Sequence, residues 1–184
     1  MNPGILSTLS LIVLGATGCV ASQQEVTRAS QAQGLLIQGY NYTDTHIDSF
    51  TVNGVGGGNV FVSSPTTGGG KSACCYSFDP LSNARVTIRW AASYCMYTAT
   101  NKYGETYQWR KSLFREDVIP VEGLGIREAS ALEVHFYPDG HVEAAITAGH
   151  SPPRLQQPIT ADEQRPGASR NFPPCAHEQL QQGR

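Results

Sequence analysis

Residues 132–146 read Leu-Glu-Val-His-Phe-Tyr-Pro-Asp-Gly-His-Val-Glu-Ala-Ala-Ile. Leu132, Val134 and Phe136 alternate with Glu133 and His135, the period of two that a strand with one buried face requires. The alternation resumes after Pro138-Asp139-Gly140 with Val142, Ala144 and Ile146. A three-residue loop, with Gly140 in the left-handed region, sets Phe136 opposite Val142, Val134 opposite Ala144 and Leu132 opposite Ile146. Every pair on that face is then apolar. A two-residue loop would slip the register and put Phe136 against Glu143. The segment is therefore a β-hairpin, and its other face pairs His135 with Glu143 as a surface cross-strand contact.

Short extended segments precede this hairpin. Gly34 to Thr43 is β-rich, and Ile47 to Val52 forms a second strand followed by the turn signal Asn53-Gly54. Gly54 to Gly58 reads as a tight, close-packed loop, with Asn59 to Ser63 as a third strand. Cys74 to Phe78 makes another, closed by Asp79-Pro80. Arg85 to Trp90 alternates cleanly, and Ala91 to Ala99 continues extended. Tyr107 to Arg115 suits a strand or a short helix, and Val118 to Val121 follows. Residues 151–184 hold six prolines and six glutamines and suit an extended strap. The expected fold is mainly β, a β-sandwich-like or β-rich α+β single domain over residues 34–150, with the Pro-rich strap at its C-terminus.

Composition narrows the function classes. Charged residues make up 15 % of 184, and 13 basic against 15 acidic residues leave a formal charge of -2. That balance excludes the basic excess of a nucleic-acid binder and the high net charge of a disordered chain. Gly4 to Gly18 is an apolar or small-residue run, too short to span a bilayer, which takes about 20 residues. It ends in Leu14-Gly15-Ala16-Thr17-Gly18-Cys19. Small residues before a Cys, with aliphatics upstream, resemble a bacterial lipobox, although positions 1–18 lack the usual Lys or Arg. The expectation is a lipoprotein signal over 1–18, acylation at Cys19 and a polar tether over 19–33. Val20, rather than an Asp, points to the outer membrane as the anchoring site in the periplasm.

Cys74, Cys75, Cys95 and Cys175 then remain, an even number in an exported chain. On a strand, adjacent Cys74 and Cys75 point to opposite faces. The expectation is one disulfide from each, to Cys95 and to Cys175, with the assignment open. No C-x-x-C pair or suitably spaced histidine pair supports zinc. Pro65 to Ser72 (PTTGGGKS) approaches a phosphate-binding loop, but Pro65 stands where Gly is needed, and a β-like segment follows in place of a helix. It reads as a turn. No G-x-S-x-G or H-E-x-x-H occurs. Asp44, His46 and Asp48 would share one face of an alternating strand and seed a cation site, against the plainer reading of a solvated face. No catalytic residue, cofactor or metal is assigned.

Gly39-Tyr40-Asn41-Tyr42-Thr43, Ile47 to Gly58, Ser64-Pro65 with the Gly-rich loop into Cys74-Cys75, Val86 to Trp90 with a Cys after it, and Val134 to Gly140 together resemble a family of small bacterial lipoproteins. The resemblance spans about residues 35–148. Some members look like immunity proteins encoded beside type VI secretion phospholipase effectors. The resemblance implies a periplasmic inhibitor of a co-encoded lipase, a protein partner and no small-molecule substrate. Trp and Tyr dominate interface energies, so Tyr40, Tyr42, Tyr103, Tyr107 and Trp109 are the candidate contacts. The alternatives are a structural or adaptor lipoprotein of the envelope, and a small hydrolase or ligand binder using Asp44, His46 or Asp48.

Overall fold

The computed structural model describes residues 33–79, 84–156 and 172–181. The expected signal segment, Cys19 and nearly all of the tether lie outside them, as do 157–171 of the strap. The fold is mainly β, as expected. Eight strands are β1 (Gln33–Asn41), β2 (Ile47–Val52), β3 (Val55–Val60), β4 (Ala73–Phe78), β5 (Arg85–Thr100), β6 (Thr106–Glu122), β7 (Ala131–Phe136) and β8 (Val142–Thr147). One short helix, α1 (His177–Gln181), follows in the strap.

The strands form one sheet in the order β3-β2-β5-β6-β8-β7-β1-β4. Neighbours run antiparallel except β1 with β7 and β6 with β8. The sheet curls until its ends nearly meet, so one continuous surface replaces two stacked layers. The loop between β3 and β4 fills the seam: Gly69 bridges to Tyr40 of β1 and Gly70 to Val60 of β3. Gly69 has φ 90°, and any Cβ there would collide with the Phe61 carbonyl. The glycines of the PTTGGGKS stretch therefore serve closure, and a strand follows them, in keeping with the turn reading.

The β7–β8 hairpin has the register expected, with Leu132↔Ile146, Val134↔Ala144 and Phe136↔Val142. Gly140 takes φ 86°. These side chains point into the curled sheet and join Leu35, Ile37, Phe50, Val52, Ile88 and Trp90 in a single apolar core. Phe50 meets Phe136 edge-on, with ring centroids 5.4 Å apart, a preferred aromatic geometry.

The Gly54–Gly58 stretch departs from expectation: Val55–Val60 is strand β3, not a loop. Gly57 lies under the Phe50 ring, where a Cβ would overlap it, and a Cβ at Gly39 would overlap Val60. The glycines thus make room for an aromatic ring within the barrel wall.

The second correction concerns the outward face of β7. His135 does lie opposite Glu143, but His135 and Glu133 are fully buried. The cause is distant in sequence: the start of the strap crosses this face. Ser151 N–H donates to Glu133 Oε1 (2.6 Å), and Arg154 N–H donates to the Tyr42 hydroxyl (2.8 Å). His135 becomes interior, while Glu143 stays partly exposed, because the strap supplies a second layer.

Disulfide pairing is the third correction. Cys95 bonds Cys175, and Cys74 bonds Cys75 across a cis peptide. Strand order explains why neither β4 cysteine reaches Cys95. Across the near-closed seam β4 is separated from β5 by β3 and β2. At about 4.8 Å per strand that distance exceeds the reach of a disulfide, whose Cα atoms lie within about 7 Å. Cys175 reaches Cys95 because its segment pairs with β5: Met96 N–H donates to the Pro173 carbonyl, and Cys175 N–H to the Met96 carbonyl.

Candidate interaction surface

β5 and β6 pair continuously from Arg85↔Pro120 to Thr100↔Thr106. Their sheet neighbours leave early. β2 pairs with β5 only as far as Trp90, and β8 pairs with β6 only at Val121 and Glu122. The remainder projects as a two-stranded arm about 30 Å long, at about 3.3 Å per residue. Its tip is ordered by Asn101. The Asn101 N–H donates to the Glu105 carbonyl (2.9 Å), and the Asn101 side-chain carbonyl accepts from the Tyr103 and Glu105 N–H groups. Gly104 supplies the left-handed turn residue at φ 83°.

Register places Tyr97 opposite Trp109 and Ala99 opposite Tyr107, so all four lie on one face of the arm. Together with Thr100 and Asn101 they line a shallow hollow. Trp109 is 54 % exposed, Tyr107 45 % and Tyr103, at the tip, 75 %. The Tyr107 hydroxyl donates to Glu105 Oε2. That bond holds the Tyr107 hydroxyl pKa above its ordinary value and the Glu105 carboxyl below its own. Lys102 sits 4.9 Å from the Tyr103 ring centroid.

Sequence reasoning missed Tyr97. The signal available was Gly104 in the turn, with aromatics at matching distances on either side, the same logic that solved the β7–β8 hairpin. Among the five candidate contact residues, the structure gathers Tyr103, Tyr107 and Trp109 on the arm. It removes Tyr40 and Tyr42, which are 2 % and 0 % exposed. Both stand on the outward face of the β1–β7 pair under the strap.

Their surroundings form an ordered polar chain. Arg154 N–H donates to the Tyr42 hydroxyl, which lies 3.1 Å from His135 Nδ1. His135 Nε2 faces Glu133 Oε2 at 3.5 Å. Glu133 Oε1 accepts from the Tyr40 hydroxyl (3.1 Å) and the Ser151 N–H. Burial lowers the His135 pKa, and the neighbouring Glu133 only partly restores it. For Glu133, burial works upward, but the nearby His135 and the hydrogen bonds from Ser151 and Tyr40 hold its carboxyl below the usual range. Both shifts favour a carboxylate facing a neutral imidazole. Burial pushes the Tyr40 hydroxyl up, with Glu133 adding to the effect.

The Asp44, His46 and Asp48 reading is also revised. Only Asp48 lies on a strand, because β2 begins at Ile47. Asp48 Oδ1 takes His46 Nε2 at 2.5 Å and Arg110 Nη2 at 2.7 Å, while Oδ2 accepts from the Ser112 hydroxyl at 2.9 Å. The carboxylate is thus occupied by three protein groups. Among the described residues no group of His, Cys, Asp and Glu is arranged to hold a metal ion. Ser112 and His46 meet the same carboxylate instead of each other, which is not the geometry of an activated nucleophile. The Asp48 cluster instead braces the base of the arm against β2. Arg110 also lies over the Tyr94 ring, 4.6 Å from its centroid.

The fold and this surface define a single curled β-sheet that presents an aromatic hairpin arm, a form suited to binding another macromolecule. By its sequence the chain belongs to a family described as protein of unknown function (DUF3304), whose model matches residues 40–144. No curated protein and no solved structure matches it.

Proposed function

We propose that the protein is a periplasmic immunity lipoprotein. Anchored through Cys19, it binds and neutralises a type VI secretion phospholipase encoded beside it. The exposed aromatic arm carries this reading. Tyr103, Tyr107 and Trp109 stand in solvent on a braced two-stranded ribbon. Large aromatics of this kind anchor protein interfaces, because they bury much area for little conformational entropy. Inhibition by binding needs only an interface of about 1,200–2,000 Å², and an arm of this length with its flanks offers a surface on that scale. The nature of the partner and the membrane location rest on the lipobox-like Cys19 and the family resemblance.

Co-expression tests the proposal. The neighbouring lipase, exported to the periplasm, is expected to kill cells that lack this protein and to spare cells that carry it. Killing that continues despite good expression overturns the immunity reading. A role as an envelope adaptor would give co-purification with envelope components and no protection.

A further inference from the structure

The arm has an open sheet edge. The Val121 N–H donates to the Ala84 carbonyl, and the Asn101 N–H to the Glu105 carbonyl. With the β5–β6 register, these bonds fix the parity of the ladder: the odd-numbered residues of β6 bond to β5. The N–H and C=O groups of Gln108, Arg110, Ser112, Phe114 and Glu116 therefore point away from β5. Among the described residues no strand pairs with those five positions, and no backbone hydrogen bond engages them. Pro120 has the same parity and no N–H, so the open run ends where a proline belongs on an edge.

A hollow over one face of the ribbon borders this edge, lined by the consecutive run Arg110 to Glu116 with Arg89 and Tyr97 of β5 and Leu180 of α1. Its charge is mainly positive, with Arg89, Arg110, Lys111 and Arg115 against the single carboxylate of Glu116, although Arg110 is already paired with Asp48. Tyr107 to Arg115 contributes Arg110, Lys111 and Arg115, and Glu116 and Asp117 follow directly. Arg89 adds a fourth cation, held 3.8 Å from the Phe114 ring centroid. Arg115 lies over the Trp90 ring, and Lys111 donates to the Leu180 carbonyl. With Arg110 held by Asp48 and the Tyr94 ring, all four cations are fixed beside the edge.

We propose that this edge takes up an extended acidic segment of a protein partner as an added strand. Unsatisfied main-chain groups are a template for strand addition, and the basic lining selects the sign of the incoming charge. A second copy of this chain would bring the same cations against themselves, which disfavours edge-to-edge dimers. The proposal rests on the reading of the arm as a binding surface and specifies how it binds.

The test uses the mature chain and two capped nonapeptides, one alternating Glu with Val and one alternating Lys with Val. Amide hydrogen exchange is followed residue by residue. The Glu peptide is expected to slow exchange at Arg110, Ser112 and Phe114, with binding that weakens as salt rises. Ser112→Pro removes a central edge N–H and should weaken binding about tenfold, the effect of losing one or two hydrogen bonds. Ser112→Ala makes the same loss of the hydroxyl bond to Asp48 but keeps the N–H, so it should bind more tightly than Ser112→Pro; equal weakening of the two overturns the role of the edge N–H. No protection by the Glu peptide at about 1 mM overturns the proposal. Equal binding of the Lys peptide, or a dimer whose edge amides are already protected, does the same. No lipase enters this experiment. Lipase neutralisation without peptide protection sinks strand addition alone, and peptide protection without lipase neutralisation sinks the immunity reading alone.

Discussion

At the scale of single residues, the interior polar chain and the core glycines make the sharpest demands. His135 is buried with its pKa lowered, chiefly by desolvation. In the unfolded chain it titrates near about 6.5. Between that value and its lower folded value the unfolded state binds more protons, so stability falls as pH falls. His46 is lowered by burial too and adds the same sign, while Glu133 adds its own loss further into acid. Melting temperature should therefore drop from pH 7 to pH 5. His135→Gln should flatten the slope by up to about 1.4 kcal/mol per pH unit, the limit for one proton. An unchanged slope in that variant would show that His135 does not charge on unfolding. Gly57→Ala should cost about 1–3 kcal/mol in urea unfolding, because its Cβ overlaps the Phe50 ring and cores resist overpacking. Gly56→Ala, with open space around its Cβ, should leave stability within about 0.5 kcal/mol.

At the scale of elements, legibility tracks how many faces of a strand see water. The β7–β8 hairpin was readable to the exact pair because one face alternates apolar residues against a turn that permits one register. The arm was ambiguous because residues 107–115 interleave Tyr, Trp, Lys, Arg and Phe with no core to sort them, and both faces of the ribbon are largely solvated. Tyr40 and Tyr42 looked like surface aromatics because their cover, Ser151 and Arg154, lies over 100 residues later. Cysteine pairing failed for a related reason, since it depends on strand order, which no local pattern encodes. The arm's own prediction follows from its exposure. Trp109→Ala and Tyr107→Ala remove side chains about half in solvent, so unfolding midpoints should hold. Lipase binding should weaken by about 30-fold or more if these are anchors of about 2 kcal/mol each. Tyr42→Phe should do the opposite, lowering stability through the lost contacts to His135 and Arg154 while leaving binding intact. Full neutralisation by the Trp109 variant would move the interface off the arm.

At the scale of the whole molecule, the proposed immunity role raises the question of why an inhibitor that works by shape would be tethered. A net charge of -2 gives no general attraction to an anionic membrane, so under this proposal location would come from the acyl chains expected at Cys19. One chain binds a bilayer only weakly, and stable anchoring takes two or more. Holding the inhibitor where a phospholipase meets its substrate raises the effective concentration without any new contact. Cys19→Ser should therefore release the protein from membranes and leave its affinity for the lipase in solution unchanged. At native expression it should protect poorly, and overexpression should restore protection by replacing local with bulk concentration. Fractionation, a binding measurement and survival at two expression levels separate these effects. A Cys19→Ser variant that stays wholly on membranes contradicts the acyl anchor. One that is released yet protects fully at native levels shows that affinity alone suffices and that the tether has some other purpose.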